Sequence, residues 1–357
     1  MNSFKRKLLL LQGLLNGCTA RIGPEIVDLD VTNRCNLRCV GCIYHSQDIL
    51  KDRNFKFRQR DFPLALFYQM LEQLETVRAH TLVFQGSGEP LLHPHIVKML
   101  HEARAKGFAT HLLTNGTLLD PKTAGEILES GLDGIRVSLW ASNQDEYSRN
   151  YPGTPSHFLP RVLANLQSLN AIKKKHKRST RVLLYCVINA HNMESMDEFV
   201  RIAKNTGCDG IHFGLFYTSF SSSKALVLSE KKRREIATSM KALKAGLKRN
   251  ALQENAAWFL DRLSMHDPDW MQYPCYEPWF HARISPNGDV EGCTRCIPPR
   301  IYGNLYDADF ATIWNGPTMQ KVRRDHTKPR AVEHLMKGCY CTSCCFGWQI
   351  KRIHKFY

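Results

Sequence analysis

"DVTNRCNLRCVGCIY", residues 30–44, sets Cys35, Cys39 and Cys42 at C-x3-C-x2-C spacing on the end of a strand-like run. Three is an odd number for disulfides and one short of a closed zinc site. Thiolates are soft ligands suited to zinc or to iron–sulfur clusters. A [4Fe–4S] cube offers four irons, so three cysteines leave one iron open to a ligand from elsewhere. A zinc site completed by a distant residue, or ordinary buried cysteines, are the competing readings.

Outward from this stretch, short β-branched runs alternate with amphipathic ones. Strands are expected at 26–31, 81–85, 110–114, 134–139, 182–188 and 210–216, and helices at 62–74, 95–106, 122–130, 159–173 and 195–205. Six βα units in series predict a parallel sheet with right-handed crossovers, as an open sheet or a partial (β/α)6 barrel of TIM type. Such folds place their chemistry at the C-terminal ends of the strands. The cysteines follow the first expected strand, "GSGEP" the second and "TNGT" the third, while Ser138-Leu139-Trp140 closes the fourth. After a Lys-rich helix at 229–248 the repeat stops. We expect an N-terminal helical segment at 1–24, a barrel domain at 25–250 and a small α+β domain at 251–357.

"CNLRCVGC" together with "GSGEPLLHP" (residues 86–94) resembles the radical S-adenosylmethionine (SAM) enzymes. The resemblance implies that Cys35, Cys39 and Cys42 hold a [4Fe–4S] cluster whose open iron chelates SAM. Reductive cleavage of that cofactor would yield a 5′-deoxyadenosyl radical that abstracts hydrogen from an unactivated C–H bond. Carried over, Gly86, Ser87, Gly88, Glu89 and Pro90 would meet the methionine amino group, and Ser138 the ribose or carboxylate. Asn115 and Arg149 would be further cofactor contacts. One departure stands out: Gly41 occupies a position where an aromatic often covers the adenine, and Tyr44 is the candidate replacement. Taken singly, Gly86 and Gly88 also fit a plain turn, and Ser138 a helix cap.

A second cysteine group begins with "CYEPWFHARISPNGDVEGC" (275–293) and continues through "GNL", "IWN" and "GCYCTSCC" (338–345). This order resembles the SPASM extension, in its shortened twitch form, and implies one auxiliary [4Fe–4S] cluster on Cys275, Cys293, Cys341 and Cys344. Cys339 or Cys345 could replace one of these. A zinc ribbon of Cys293, Cys296, Cys341 and Cys344 is the rival, with a spacer of 44 residues. A leftover thiol could instead return a hydrogen atom to substrate, with Cys345 favoured over Cys339, Cys296, Cys208 and Cys186.

Lys and Arg number 49 against 33 Asp and Glu, a net charge of +16. Such an excess favours anionic partners. It suggests a small anionic, carbohydrate-type or lipid-linked substrate, and the resemblance implies that such a substrate is oxidised or epimerised. Maturation of a ribosomally made peptide is the enzymatic alternative. A basic metal-containing nucleic-acid-binding protein is the alternative from charge alone. His212 is a candidate general base, and Trp140, Tyr151, Tyr217 and Arg283 are candidate rim residues. A flavodoxin- or ferredoxin-type electron donor is implied as partner. The stretch 4–15 reads as a basic, leucine-rich helix fit for a membrane surface. Gln12 and Gly13 interrupt it too early for a signal peptide. Crowded C-x2-C spacings suit a reducing compartment, hence the cytoplasm.

Overall fold

The computed structural model describes residues 3–47, 58–218, 221–249, 252–264, 273–293 and 299–327. Helix α1 (Ser3–Asn16) precedes strand β1 (Ile26–Asp30). Then α2 (Leu64–Thr76) leads to β2 (Thr81–Gln85), α3 (Ile96–Ala105) to β3 (Ala109–Thr114) and α4 (Pro121–Glu129) to β4 (Gly134–Ser138). Two helices, α5 (Gln144–Asn150) and α6 (Phe158–Lys175), bridge to β5 (Arg181–Ile188), and α7 (Met196–Asn205) bridges to β6 (Gly210–Leu215). These six strands pair in sequence order, all parallel. The result is the expected partial (β/α)6 barrel. Helix α5 was not anticipated, although Asn143 and Glu146 carry its signal: the Asn143 side chain accepts from Glu146 N at 3.0 Å as an N-cap.

The two faces of the sheet differ in chemistry because side chains alternate along each strand. Val27, Leu29, Leu82, Phe84, Leu112, Ile135, Val137, Val182, Leu184, Ile211 and Phe213 are fully buried beneath the helices. Cys186 lies in this layer and Cys208 just before β6; both are packing residues, so neither stands as a hydrogen donor to the site. Phe84 meets Phe67 of α2 with ring centroids 6.1 Å apart. Burying one such side chain contributes about 1.5–3 kcal/mol. The opposite face carries Asp28, Asp30, His111, Arg136, Ser138, Tyr185 and His212. A closed barrel of this type fills its interior with branched aliphatics; here the interior is polar.

Beyond α8 (Glu230–Arg249) the sheet does not stop. β7 (Gln253–Glu254) pairs with β6, and α9 (Ala256–Ser264) packs beneath. After α10 (Glu277–Phe280), strand β8 (His281–Ile284) joins β1 in parallel on the other edge. Antiparallel β9 (Asp289–Glu291) and β10 (Ile301–Asn304) extend it to ten strands. The sheet thus runs across the boundary expected near residue 250. Helices α11 (Phe310–Trp314) and α12 (Pro317–His326) follow. The "IWN" triplet ties this region to the N-terminal segment: Trp314 Nε1 donates to Ile22 O at 3.0 Å, and Asn315 binds Ala20 N at 2.9 Å and Ala20 O at 3.1 Å.

Candidate active site

The cysteine loop leaves β1 and lies against the loop after β2 so closely that two positions admit only glycine. A Cβ on Gly88 would sit 2.1 Å from Arg34 O, and one on Gly86 2.7 Å from Thr32 O. Two hydrogen bonds seal the contact, Glu89 N donating to Arg34 O at 2.8 Å and the His45 side-chain Nε2 to Ser87 O at 2.8 Å. The Asp30 carboxylate accepts from Ser87 N at 3.1 Å.

A cavity of about 250 Å³ opens at this junction. It is lined by Cys35, Cys39, Cys42 and Tyr44, by Gly86, Ser87, Gly88 and Glu89, and by Asn115, Arg136, Ser138 and Tyr185. Three loops and two strands far apart in the chain therefore converge on one space. Buried Glu89 accepts from Thr114 Oγ1 at 2.6 Å, Asn115 N at 2.7 Å and Leu91 N at 3.1 Å. Burial pushes its carboxyl up to about 6 against those three donors. Asn115 spans to the cysteine loop, donating to Asn36 Oδ1 at 2.9 Å. Ser138 Oγ accepts from Trp140 Nε1 at 3.1 Å.

Not all expected residues reach this space. Arg149 is turned outward on α5, where it pairs with Asp145 at 2.8 Å; the helix after β4 carries it away from the cavity. Pro90 is buried at the start of a 3₁₀ turn (Pro90–Leu92), where it shapes the loop and does not line the cavity. His212 sits inside the barrel but outside the cavity lining. Burial and the nearby Arg136 charge push its imidazole down to about 4, leaving it neutral and a weak base at neutral pH. Tyr151 is buried with its hydroxyl accepting from Trp140 N at 2.8 Å, and Tyr217 lies 5.0 Å from the Arg262 guanidinium; both are packing residues.

The departure at Gly41 has a structural reason. A Cβ there would lie 2.2 Å from Phe216 Cε2, so the Phe216 ring fills the space beside the cysteine loop, edge-on to Trp140 at 6.0 Å. Tyr44 lines the cavity, its hydroxyl accepting from Arg283 Nη2 at 2.9 Å. Arg283 also pairs with Asp30, and its Nη1 lies 3.2 Å from Glu291. Strand β8 thereby braces both loops of the site, a role that sequence reasoning missed because it depends on the β8–β1 pairing. Beside it, His281 is clamped between Asp28 at 2.9 Å and Glu277 at 2.8 Å. Although burial opposes the charge, those carboxylates lift its imidazolium to about 10.

The donor set fits an iron–sulfur cluster. Backbone N–H groups point at sulfur: Leu37 N to Cys35 Sγ at 3.5 Å, and Tyr44 N and His45 N to Cys42 Sγ at 3.4 and 3.2 Å. Such bonds tune clusters. Burial pushes the Cys35 thiol up to about 12 and raises Cys39 and Cys42, with mutual repulsion of thiolates adding at Cys35 and Cys39. Three thiols of this kind ionise together when cationic irons bind them. No three His, Cys, Asp or Glu among the described residues converge on one metal ion; in a cube each thiolate takes its own iron. Of the second group, Cys275 and Cys293 both bear on Tyr302, whose hydroxyl is raised by burial, by Glu277 and by the two thiols. Cys296, Cys339, Cys341, Cys344 and Cys345 fall outside the described residues.

Comparison with known proteins agrees with this geometry. Residues 29–203 match the radical SAM superfamily, and residues 275–345 match an iron–sulfur cluster-binding domain, SPASM. The PqqA peptide cyclase of Xanthomonas campestris pv. campestris is 24% identical over 335 residues, covering 89% of this chain and 82% of that protein. A tungsten-containing aldehyde ferredoxin oxidoreductase cofactor-modifying protein of Pyrococcus furiosus is 27% identical over 188 residues; that match spans 51% of this chain and about half of the relative, 49%. Among solved structures, Streptococcus suis SuiB bound to S-adenosylmethionine superimposes with a TM-score of 0.66 at 16% identity, covering 92% of this chain and 74% of that one. Native anSMEcpe with bound AdoMet gives 0.63 at 16% identity, covering 93% and 97%. These two show the shared fold.

Proposed function

We propose, from the premise that this chain belongs to the radical SAM superfamily and carries a SPASM cluster-binding domain, that it modifies a peptide at an unactivated C–H bond. The observation that carries this is the match to a peptide cyclase along 89% of the chain. It displaces the small carbohydrate-type substrate suggested by charge. SuiB, which shares the fold, has been crystallised with a precursor peptide, and this supports the same reading.

The cofactors are S-adenosylmethionine, a [4Fe–4S] cluster and an auxiliary cluster; when bound, the first two supply one-electron cleavage to a 5′-deoxyadenosyl radical. Everything else falls to the chain. In this reading Cys35, Cys39 and Cys42 hold the first cluster, and Cys275 and Cys293 contribute to the second with Cys341 and Cys344. The 86–89 backbone, pinned by Asp30 and Arg34 O, offers a rigid cradle for the methionine end of the cofactor. Ser138 and the Asn115 backbone close the same space. Glu89, already holding three donors, keeps the loops after β2 and β3 together. Phe216 and Trp140 exclude water beside the cysteine loop. Cys345 remains a candidate hydrogen donor.

A flavodoxin- or ferredoxin-type protein would deliver the electron, in a cytoplasmic setting. No described helix is long and apolar enough to cross a membrane. Helix α1 would instead rest on an anionic membrane surface. The test of function is 5′-deoxyadenosine formation by the anaerobically reconstituted protein, with peptide, small-molecule and lipid fractions of the source cell added separately. Stimulation by peptide supports the proposal; stimulation by small molecules alone overturns it.

A further inference from the structure

The cysteine loop has two sides, and only one faces the cavity. Cys35, Leu37, Cys39 and Cys42 line that cavity, whereas Arg38, between the first two cysteines, is exposed and lines none of it. Two other segments are bonded to the loop. Asn33 Nδ2 donates to Arg58 O at 2.9 Å and Asn33 N to Arg60 O at 3.1 Å. Val40 N donates at 2.9 Å to the carbonyl of Asn150, the last residue of α5. These bonds bring Arg58 and Arg149, both exposed, up to the two ends of the loop. The carboxylates beside them are already engaged, Asp61 with Arg34 at 2.8 Å and Asp145 with Arg149 at 2.8 Å. Arg38, Arg58 and Arg60 form no ion pair among the described residues. Surplus positive charge is thus gathered outside the loop, where self-repulsion opposes folding.

An electron bound for the cluster must cross this same layer. Tunnelling falls off steeply with distance, the inner side of the loop is given over to the cavity, and Arg38 is the residue next to Cys39. Guanidinium groups match carboxylates through paired N–H donors, and opposite charge on two surfaces steers their encounter. We infer that the outer face of the cysteine loop, with Arg38 at its middle and Arg58 and Arg149 at its ends, is the docking surface for an acidic one-electron donor protein. This rests on the electron donor of the reading above and adds the place and the charge of its contact. In the step itself the reduced flavin of a flavodoxin gives up one electron, and the [4Fe–4S] cluster passes from the 2+ to the 1+ state.

The test uses the reconstituted holoenzyme with SAM. An acidic flavodoxin, reduced beforehand, is mixed with it, and cluster reduction is followed by freeze-quench electron paramagnetic resonance. Photoexcited 5-deazariboflavin, a small neutral donor, is the comparison. Arg38→Glu/Arg58→Glu reverses two charges at this face. Lys174→Glu/Lys177→Glu reverses two at the far end of the barrel, where both lysines are exposed ahead of β5 and about 25 Å from its C-terminal end. Flavodoxin-driven reduction at low salt should slow about tenfold or more in the first variant and less than about twofold in the second, the lower end of what electrostatic steering contributes. Iron content and reduction by 5-deazariboflavin stay unchanged in both, and added salt slows the wild type toward the first variant. If the two variants slow equally, net charge alone is responsible and the proposal is overturned. If neither slows, the donor docks elsewhere; the proposal is overturned and the donor reading stands. If the wild type accepts electrons from 5-deazariboflavin and not from flavodoxin, the donor reading falls and the docking face with it. Should the Glu pair lose iron, Arg38→Gln/Arg58→Gln decides by the same criteria. A single-stranded RNA that binds the wild type, loses affinity in the first variant and is not displaced by flavodoxin makes this a nucleic-acid surface and overturns the proposal.

Discussion

At the scale of single residues, the site depends on atoms that admit no substitute. Replacing Cys35, Cys39 or Cys42 by Ala is expected to lower the iron content and abolish 5′-deoxyadenosine formation, checked by iron analysis and chromatography on the same samples. Gly88→Ala brings a Cβ within 2.1 Å of Arg34 O, so one loop must move; cofactor cleavage should fall about tenfold or more, since misplacing a reacting group by an ångström costs at least that. His281 gives a pH signature. Its folded value, about 10, lies above that of an unfolded histidine. The stabilisation is therefore complete below about pH 6.5 and is lost as pH rises through the folded value. Melting temperature should decline from pH 6.5 toward pH 10, and His281→Gln should flatten that decline.

At the scale of elements, α1 shows how a local pattern acquires meaning from packing. Arg6 and Gly13 face the barrel, Arg6 donating to Arg78 O at 2.7 Å and Gly13 O accepting from Trp279 Nε1 at 3.2 Å. The opposite face leaves Phe4, Leu8 and Leu15 exposed. The helix has no acidic residue and carries Lys5 and Lys7 beside that stripe. An apolar stripe flanked by cations suits an anionic interface. We expect flotation with vesicles rich in phosphatidylglycerol and not with neutral ones, and loss of flotation in a Phe4→Ser/Leu8→Ser/Leu15→Ser variant that melts like the parent. Equal recovery with neutral vesicles, or with the variant, would refute this contact.

For the whole molecule, the C-terminal region completes the barrel. Strand β8 supplies Arg283 to the cysteine loop, and the Trp314–Asn315 pair fastens the segment around Ala20 and Ile22. Asn315→Ala unpairs Ala20 and one contact of Arg323. It should cost about 1–3 kcal/mol, the scale of unmet buried polar groups, measurable by denaturant unfolding. The period-2 and period-3.6 runs, the two glycines of "GSGEP" and the cysteine spacing were enough to place the barrel and the cluster loop, because each is a short-range pattern with a direct steric or coordination cause. Gly41 was legible only as a missing aromatic cover with Tyr44 as its replacement; that the Phe216 ring excludes a side chain there came from the tertiary structure. Arg149 misled because residue type says nothing about which way a short helix turns. What tertiary structure alone decided was the company each group keeps: Phe216 against Gly41, and Arg283 against Tyr44 and Asp30. Those relations arise from strand register and sheet order across 239 residues of chain, from Tyr44 to Arg283, and no local pattern encodes them.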